Sequence, residues 1–365
     1  MAKRTSALED IHIGLGAGLG PWNDMEVPWS YTNPAENQLD AMREVAGLFD
    51  LTGLKKIWVK GPDAPAVIDM VSPRDMSKVT KGKAAYCPIL TDEGTICDDV
   101  IIYRIEDDKY LFVYGTGAGD ERLALAAKGK NVKLEKDDEL HTLSLQGPKA
   151  VKLLDANSPA NLAAVDFFGL VQTELFGHKA IVSRTGYSGE RGYEIFVDRK
   201  DAVAVWNGIL KAGEKDGVVP CSFTCLNKGR MEAGLLFYPF DMDDKVTPWE
   251  MGLGWAISRK KPAYLGREAV LKQEGKEKVK LTGISCTSSK GIIEGGTDLF
   301  LNGKKVGAVT SSEYSHRLGR SLALVHIRPG IAEGTKLKLG NAADAVDVTV
   351  EDLPFYDKEK KRMRM

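Results

Sequence analysis

No apolar run in this chain approaches the length that crosses a membrane, and residues 1–7 lack the apolar core of a secretory leader. Charge of one sign is missing too: 50 Lys and Arg against 51 Asp and Glu leave a formal net charge of −1. So close a balance supplies no global field for nucleic acid or a membrane surface. The basic tail over 358–364 is short and terminal, and reads as a solvated end. Cysteine is scarce: Cys87, Cys97, Cys221, Cys225 and Cys286 form an odd, scattered set that fits buried, reduced thiols better than a disulfide framework. Cys221 and Cys225 are four apart, but no second pair completes a zinc site, and His12, His141, His178, His316 and His326 show no metal spacing. No Ser-His-Asp spacing or P-loop lysine is present, so nucleophilic hydrolysis and phosphoryl transfer have no support. The expectation is a cytoplasmic protein with no resident metal, no nucleic acid and no membrane.

What the chain does have is length and internal repetition. At 365 residues it exceeds one simple core, so two or three domains are expected. Val59-Lys60-Gly61-Pro62-Asp63-Ala64 and Leu145-Gln146-Gly147-Pro148-Lys149-Ala150 lie 86 residues apart. Each closes an apolar strand, turns at Gly-Pro and opens an amphipathic helix, which predicts two related α+β lobes with antiparallel sheets. Between them, strands over 84–90 and 96–105 flank the turn Thr91-Asp92-Glu93-Gly94, and another strand covers 110–114. Helices are expected from Asn33-Pro34 to Gly47, over 202–212, and from Pro220 to about Ala233. Gly229 inside the last of these implies close packing or a ligand. After a Lys-rich linker over 272–280, six short strands predict a C-terminal β-barrel or sandwich. Glycines at 14, 16, 18 and 20 have no strand before them, so a dinucleotide fingerprint is rejected, leaving a ligand-lining loop or irregular backbone.

Residues 183–197, Ser-Arg-Thr-Gly-Tyr-Ser-Gly-Glu-Arg-Gly-Tyr-Glu-Ile-Phe-Val, carry the first hint of a site. Gly186, Gly189 and Gly192 permit close approach of a ligand. Glu194, inside an apolar run, is costly unless paired or exposed. Asp98 and Asp99 interrupt the strand over 96–105 and must split across its two faces, Asp99 with Ile101 and Tyr103. That face could take a flat, partly polar heterocycle, or the pair could serve a structural hydrogen bond. Arg230 falls on a buried helical stripe and requires a carboxylate or an anionic ligand, a structural ion pair being the simpler reading.

These residues resemble a known family. Leu48-Phe49-Asp50, the Val59–Ala64 segment, Gly94-Thr95-Ile96-Cys97-Asp98-Asp99-Val100, Thr185-Gly186-Tyr187-Ser188-Gly189-Glu190, Arg230-Met231-Glu232-Ala233-Gly234-Leu235, Gly252-Leu253-Gly254-Trp255 and Leu265-Gly266-Arg267-Glu268-Ala269 are similar, in order, to the T-protein of the glycine cleavage system. The resemblance implies an α+β three-domain cloverleaf around tetrahydrofolate: residues 1–50 with 141–275, residues 51–140, and a barrel over 276–365. It implies that Asp99 is the essential aspartate beside the pterin nitrogen that accepts the one-carbon unit. Glu194 is then the anchor of the pterin amino edge, and Tyr86, Ile101, Tyr103, Tyr187, Met231 and Trp255 line the folate cavity.

Two departures matter. The family's Arg-Asp-Thr-Leu-Arg run stands here as Leu226-Asn227-Lys228-Gly229-Arg230, and its Ser-His-Met is Thr52-Gly53-Leu54. The first favours a demethylase moving methyl from a small sulfonium, amine or ether donor to tetrahydrofolate. The alternative is an aminomethyltransferase served by a lipoyl carrier protein. A non-catalytic folate-binding relative that assists iron–sulfur assembly carries a cysteine signature that this chain lacks at Lys228-Gly229-Arg230.

Overall fold

The computed structural model describes residues 4–287, 293–340 and 345–365. Three β systems organise it. A six-stranded sheet runs in the order Leu170–Leu175, His178–Ser183, Gly192–Asp198, Leu140–Gln146, Gly47–Asp50 and Val219–Cys221. A five-stranded sheet runs Lys83–Leu90, Ile96–Glu106, Lys109–Tyr114, Lys55–Lys60 and Lys133–Lys136. The strands Lys280–Cys286, Arg320–Ile327, Lys304–Ser315, Asp298–Leu301, Lys336–Leu339 and Val346–Glu351 close into a barrel.

The repeated Gly-Pro segments fold alike. Gly61 and Gly147 have φ of 131° and 139°, a backbone state that side chains exclude, and a Cβ would come within 2.8 Å of Asn131 O and 2.4 Å of Met42 O respectively. Each turn leads into a helix, Ala64–Val71 or Ala150–Asp155. The first packs with Gly119–Ala126 on one face of the five-stranded sheet, and the second packs with Arg199–Gly213 on one face of the other. Trp206 and Ile209 of the long helix are buried against Leu145 and Ile195, and each such side chain contributes about 1.5–3 kcal/mol. The opposite faces meet: Ala84, Tyr103, Leu111 and Val113 of the five-stranded sheet pack against Leu170 and Phe196 of the six-stranded one.

Three expectations change. The Val219–Cys221 strand pairs in parallel with Gly47–Asp50, so the larger sheet is mixed at one edge rather than wholly antiparallel. Its pairing follows from the helix Phe223–Glu232, capped by Ser222 Oγ, which lies against Ala35–Glu44. There Gly229 makes room for Met42, whose Cε would sit 3.0 Å from a Cβ.

The glycine-rich start is not a loop. After the helix Glu9–Gly14, strand Gly18–Trp22 pairs with Met25–Ser30 through Asn23 and Asp24, both at positive φ as a type I′ turn requires. Gly18 and Gly20 are needed because the partner strand's Ser30 and Trp29 side chains occupy their Cβ positions, at 2.6 and 2.4 Å. The third change concerns the barrel, where the strand expected over 306–310 extends across Lys304–Ser315. Among the described residues no helix is long and apolar enough to cross a membrane.

Candidate functional site

Strand periodicity sets one row of the site. Asp99, Ile101 and Tyr103 alternate onto the same face of Ile96–Glu106, and Tyr86 stands opposite Ile101 on Lys83–Leu90. Tyr103 helps to join the two sheets. Its ring meets Phe196 edge-on at 5.0 Å, and its hydroxyl donates to Glu194 Oε2 at 2.7 Å. Thr185 donates to the same oxygen, while Oε1 receives no hydrogen bond from the described residues. Glu194 is therefore a buried carboxylate with neutral donors and no cation among the described residues, and burial pushes its pKa up. A carboxylate so placed accepts N–H donors readily.

Asp98 and Asp99 divide as strand geometry requires. Asp98 is fully buried on the helix-covered face, where its two oxygens accept the backbone N–H groups of Asp99 (2.9 Å) and Gly119 (3.0 Å), the latter opening the helix Gly119–Ala126. Burial, with the charge of Asp99 beside it, pushes its carboxyl up to about 8. The structural hydrogen bond weighed above is thus real, and it belongs to Asp98. Asp99 is half-buried on the other face; burial raises its carboxyl to about 6, against a hydrogen bond from Tyr86 that favours the charged form.

Trp255 is 62% exposed, and its ring lies 6.2 Å from Tyr86 at 30°. Tyr187 is half-buried, its hydroxyl donating to the Leu236 carbonyl. Met231 differs from expectation: it is fully buried in a cluster with Leu322, Leu324 and Phe355, so it joins its helix to the barrel and offers no surface to a ligand.

The three glycines of 184–192 also change meaning. A Cβ on Gly186 or Gly192 would fall 2.1 Å from Gln146 Oε1. What approaches closely there is the Gln146 amide, which bonds Ser144, the Thr185 carbonyl and Ser188. That amide holds the loop over Glu194. Gly189, at φ 76°, stands against Ala233.

Arg230 pairs with buried Asp241, as the ion-pair reading expected, and Asp241 also accepts from Thr310 of the barrel. Asn227 and Lys228 turn to Glu313 of the barrel strand, at 3.1 and 2.9 Å. Sequence reading missed Arg43, whose fully buried guanidinium bridges Glu190 (2.9 Å) and Glu232 (2.8 Å) and bonds the Ser188 carbonyl. Its partners lie more than 140 residues away, beyond any local pattern. Arg362 near the C-terminus binds the same Glu190. Missed too was Arg74, which lies beside the Trp255 ring.

Residues 8–261 match the GCVT N-terminal domain, and residues 280–357 match the glycine cleavage T-protein C-terminal barrel domain. The chain is 38% identical to the heme-dependent oxidative N-demethylase gamma subunit of Ectopseudomonas mendocina, over 98% of this chain and 97% of that protein. It is 33% identical to an aminomethyltransferase of Corynebacterium aurimucosum, over 97% and 98%. The crystal structure of the glycine cleavage system aminomethyltransferase T from Bartonella henselae superimposes with a TM-score of 0.89 at 26% identity, over 98% of this chain and 99% of that one. The match spans both lobes and the barrel, and on it the chain belongs to the glycine cleavage T-protein family.

Proposed function

We propose that the protein is a tetrahydrofolate-dependent one-carbon transferase whose donor is a small methylated compound, an N-methyl amine in particular. The observation that carries this reading is Glu194: a buried carboxylate without a cation, at one end of a face whose other end holds Asp99. Such a carboxylate accepts the amino and ring N–H groups of a pterin as a pair of parallel bonds. The fit rests on its Oε1, which the described residues leave unbonded, and on the aromatic surface of Tyr86 and exposed Trp255.

Tetrahydrofolate supplies the nitrogen that accepts the one-carbon unit. The chain's own part is positional and electrostatic. Tyr103 and Thr185 orient Glu194, and Gln146 fixes the loop that carries Thr185. Asp99, when ionised, favours positive charge on the reacting nitrogen and can hold its proton. Tyr86 beside it lowers the cost of its charge.

An amine is favoured over a sulfonium or ether by the likeness to the N-demethylase gamma subunit. The aminomethyltransferase reading is kept by the 33% identity with the Corynebacterium enzyme, and it requires a lipoyl carrier protein as partner. The test is one-carbon transfer to tetrahydrofolate from methylated amines, sulfonium compounds and ethers, each without carrier, beside an aminomethyl-lipoyl carrier. Transfer from an N-methyl amine alone is expected, and turnover with the lipoylated carrier only would overturn the donor assignment.

A further inference from the structure

Beside the aromatic end of this face lies a cation with no counter-ion among the described residues. Arg74 is half-buried in the loop over 72–75, after the helix Ala64–Val71. Its guanidinium carbon lies 5.5 Å from the Trp255 ring centroid, and Nη1 reaches the Tyr86 carbonyl at 3.3 Å. It forms no ion pair among the described residues. The neighbouring Asp75 is engaged elsewhere, by Ser77 at 2.6 Å and Lys78 at 3.2 Å. Arg43 and Arg230, by contrast, are each matched by carboxylates within 3 Å.

The loop that presents Arg74 is held by several hydrogen bonds. Buried Lys261 places its ammonium on the carbonyls of Asp69, Ser72 (2.8 Å) and Arg74 (3.2 Å), and on the Asp69 carboxylate at 3.0 Å. Ser258 N–H donates to the Pro73 carbonyl at 2.9 Å, and Arg74 N–H donates to Ser72 Oγ at 3.2 Å. An arginine stacked on an aromatic ring and tethered by one N–H keeps the rest of its planar fork for an acceptor. Because the backbone is already fixed, binding an anion there costs little ordering entropy. The acceptor that matches such a fork is a carboxylate.

The site's polarity runs in an order that supports this. From Tyr103, which holds Glu194, to Asp99 is four residues of strand, about 13 Å at about 3.3 Å each. Tyr86 stands one strand over, level with Ile101, its ring beside Trp255, and Arg74 lies against Trp255. Tetrahydrofolate likewise sets an amino-substituted heterocycle apart from its glutamyl carboxylates, with the reacting nitrogens and an aryl ring between them.

We propose that Arg74, held against Trp255, is the carboxylate anchor of the site and binds the glutamyl arm of the folate. This rests on the folate reading above. A carboxylate on the donor is the other source of the same chemistry, and the experiment separates the two. Binding of tetrahydrofolate, and of 6-methyltetrahydropterin, which lacks the aminobenzoyl-glutamate arm, is measured by calorimetry on the wild type and on Arg74→Gln. N-methylglycine binding is measured with 6-methyltetrahydropterin present. Arg74→Gln is expected to weaken tetrahydrofolate by about tenfold to a hundredfold, the loss of one or two charge-assisted hydrogen bonds, and to leave 6-methyltetrahydropterin unchanged. Trp255→Leu, which keeps the cation but removes its platform, should weaken tetrahydrofolate less. Selective loss of N-methylglycine instead keeps Arg74 as a carboxylate anchor but moves its ligand to the donor, overturning the glutamyl assignment. Unchanged affinity for all three ligands, or equal weakening of both pterins, overturns the anchor while leaving the folate reading intact. A wild type that binds neither pterin overturns the folate reading itself.

Discussion

At the scale of single residues, the site depends on carboxyl groups held where charge is costly. Asp98 and Asp99 are adjacent, yet one is spent on backbone N–H groups and the other faces the site. Their raised acidities have a consequence for stability. The folded protein keeps protons on both carboxyls at pH values where the unfolded chain has released them. Stability from this source is complete below the ordinary aspartate range near pH 4, and it falls as pH rises through about 6 for Asp99 and about 8 for Asp98. The slope per proton is up to about 1.4 kcal/mol per pH unit. Asp98→Asn, which cannot titrate, is expected to flatten the stability profile between pH 6 and 8, whatever its effect on absolute stability. Urea midpoints across that range check it, and a variant with the wild-type slope would show that Asp98 is ionised in the folded protein at pH 6.

At the scale of elements, the loop over 184–192 shows what sequence can and cannot reveal. Its glycines mark a place that tolerates no side chain, and that much is legible. What fills the space, the Gln146 amide, comes from a strand 40 residues earlier and has no local signature. The same holds for Gly18 and Gly20, whose composition argues against a strand while their packing demands one. The Asp98–Asp99 split was legible because period two is a property of the strand alone. Met231 was misread because helical spacing gives its face, but not whether that face meets a cavity or the barrel. Arg43 is the element-scale device that sequence could not expose, tying the helix Ala35–Glu44 to the loop through Ser188 and Glu190. Arg43→Ala leaves Glu232 buried without its cation, since Arg362 still serves Glu190. A destabilisation of about 3–5 kcal/mol is expected, read from urea unfolding; a loss under 1 kcal/mol would mean that water or Arg362 takes over the pair.

At the scale of the whole molecule, the three β systems are held together by polar as well as apolar contacts. Tyr103–Glu194 joins the two sheets, and Arg230–Asp241–Thr310 joins the helix Phe223–Glu232 to the barrel. The fold class was readable because the Gly-Pro echo and the run of short C-terminal strands are long-range patterns that survive without contacts. The site's ordering was not, because it arises where the face of one sheet meets the face of another. Glu194 stands at that junction, so it tests the account most directly. Titration of tetrahydrofolate into the wild type and into Glu194→Gln, which keeps the shape and removes the charge, is expected to show saturable binding that weakens at least tenfold in the variant, the worth of a charge-assisted pair being about 1.5–3 kcal/mol. Equal affinity in the two proteins would contradict the assignment of Glu194 as the pterin anchor.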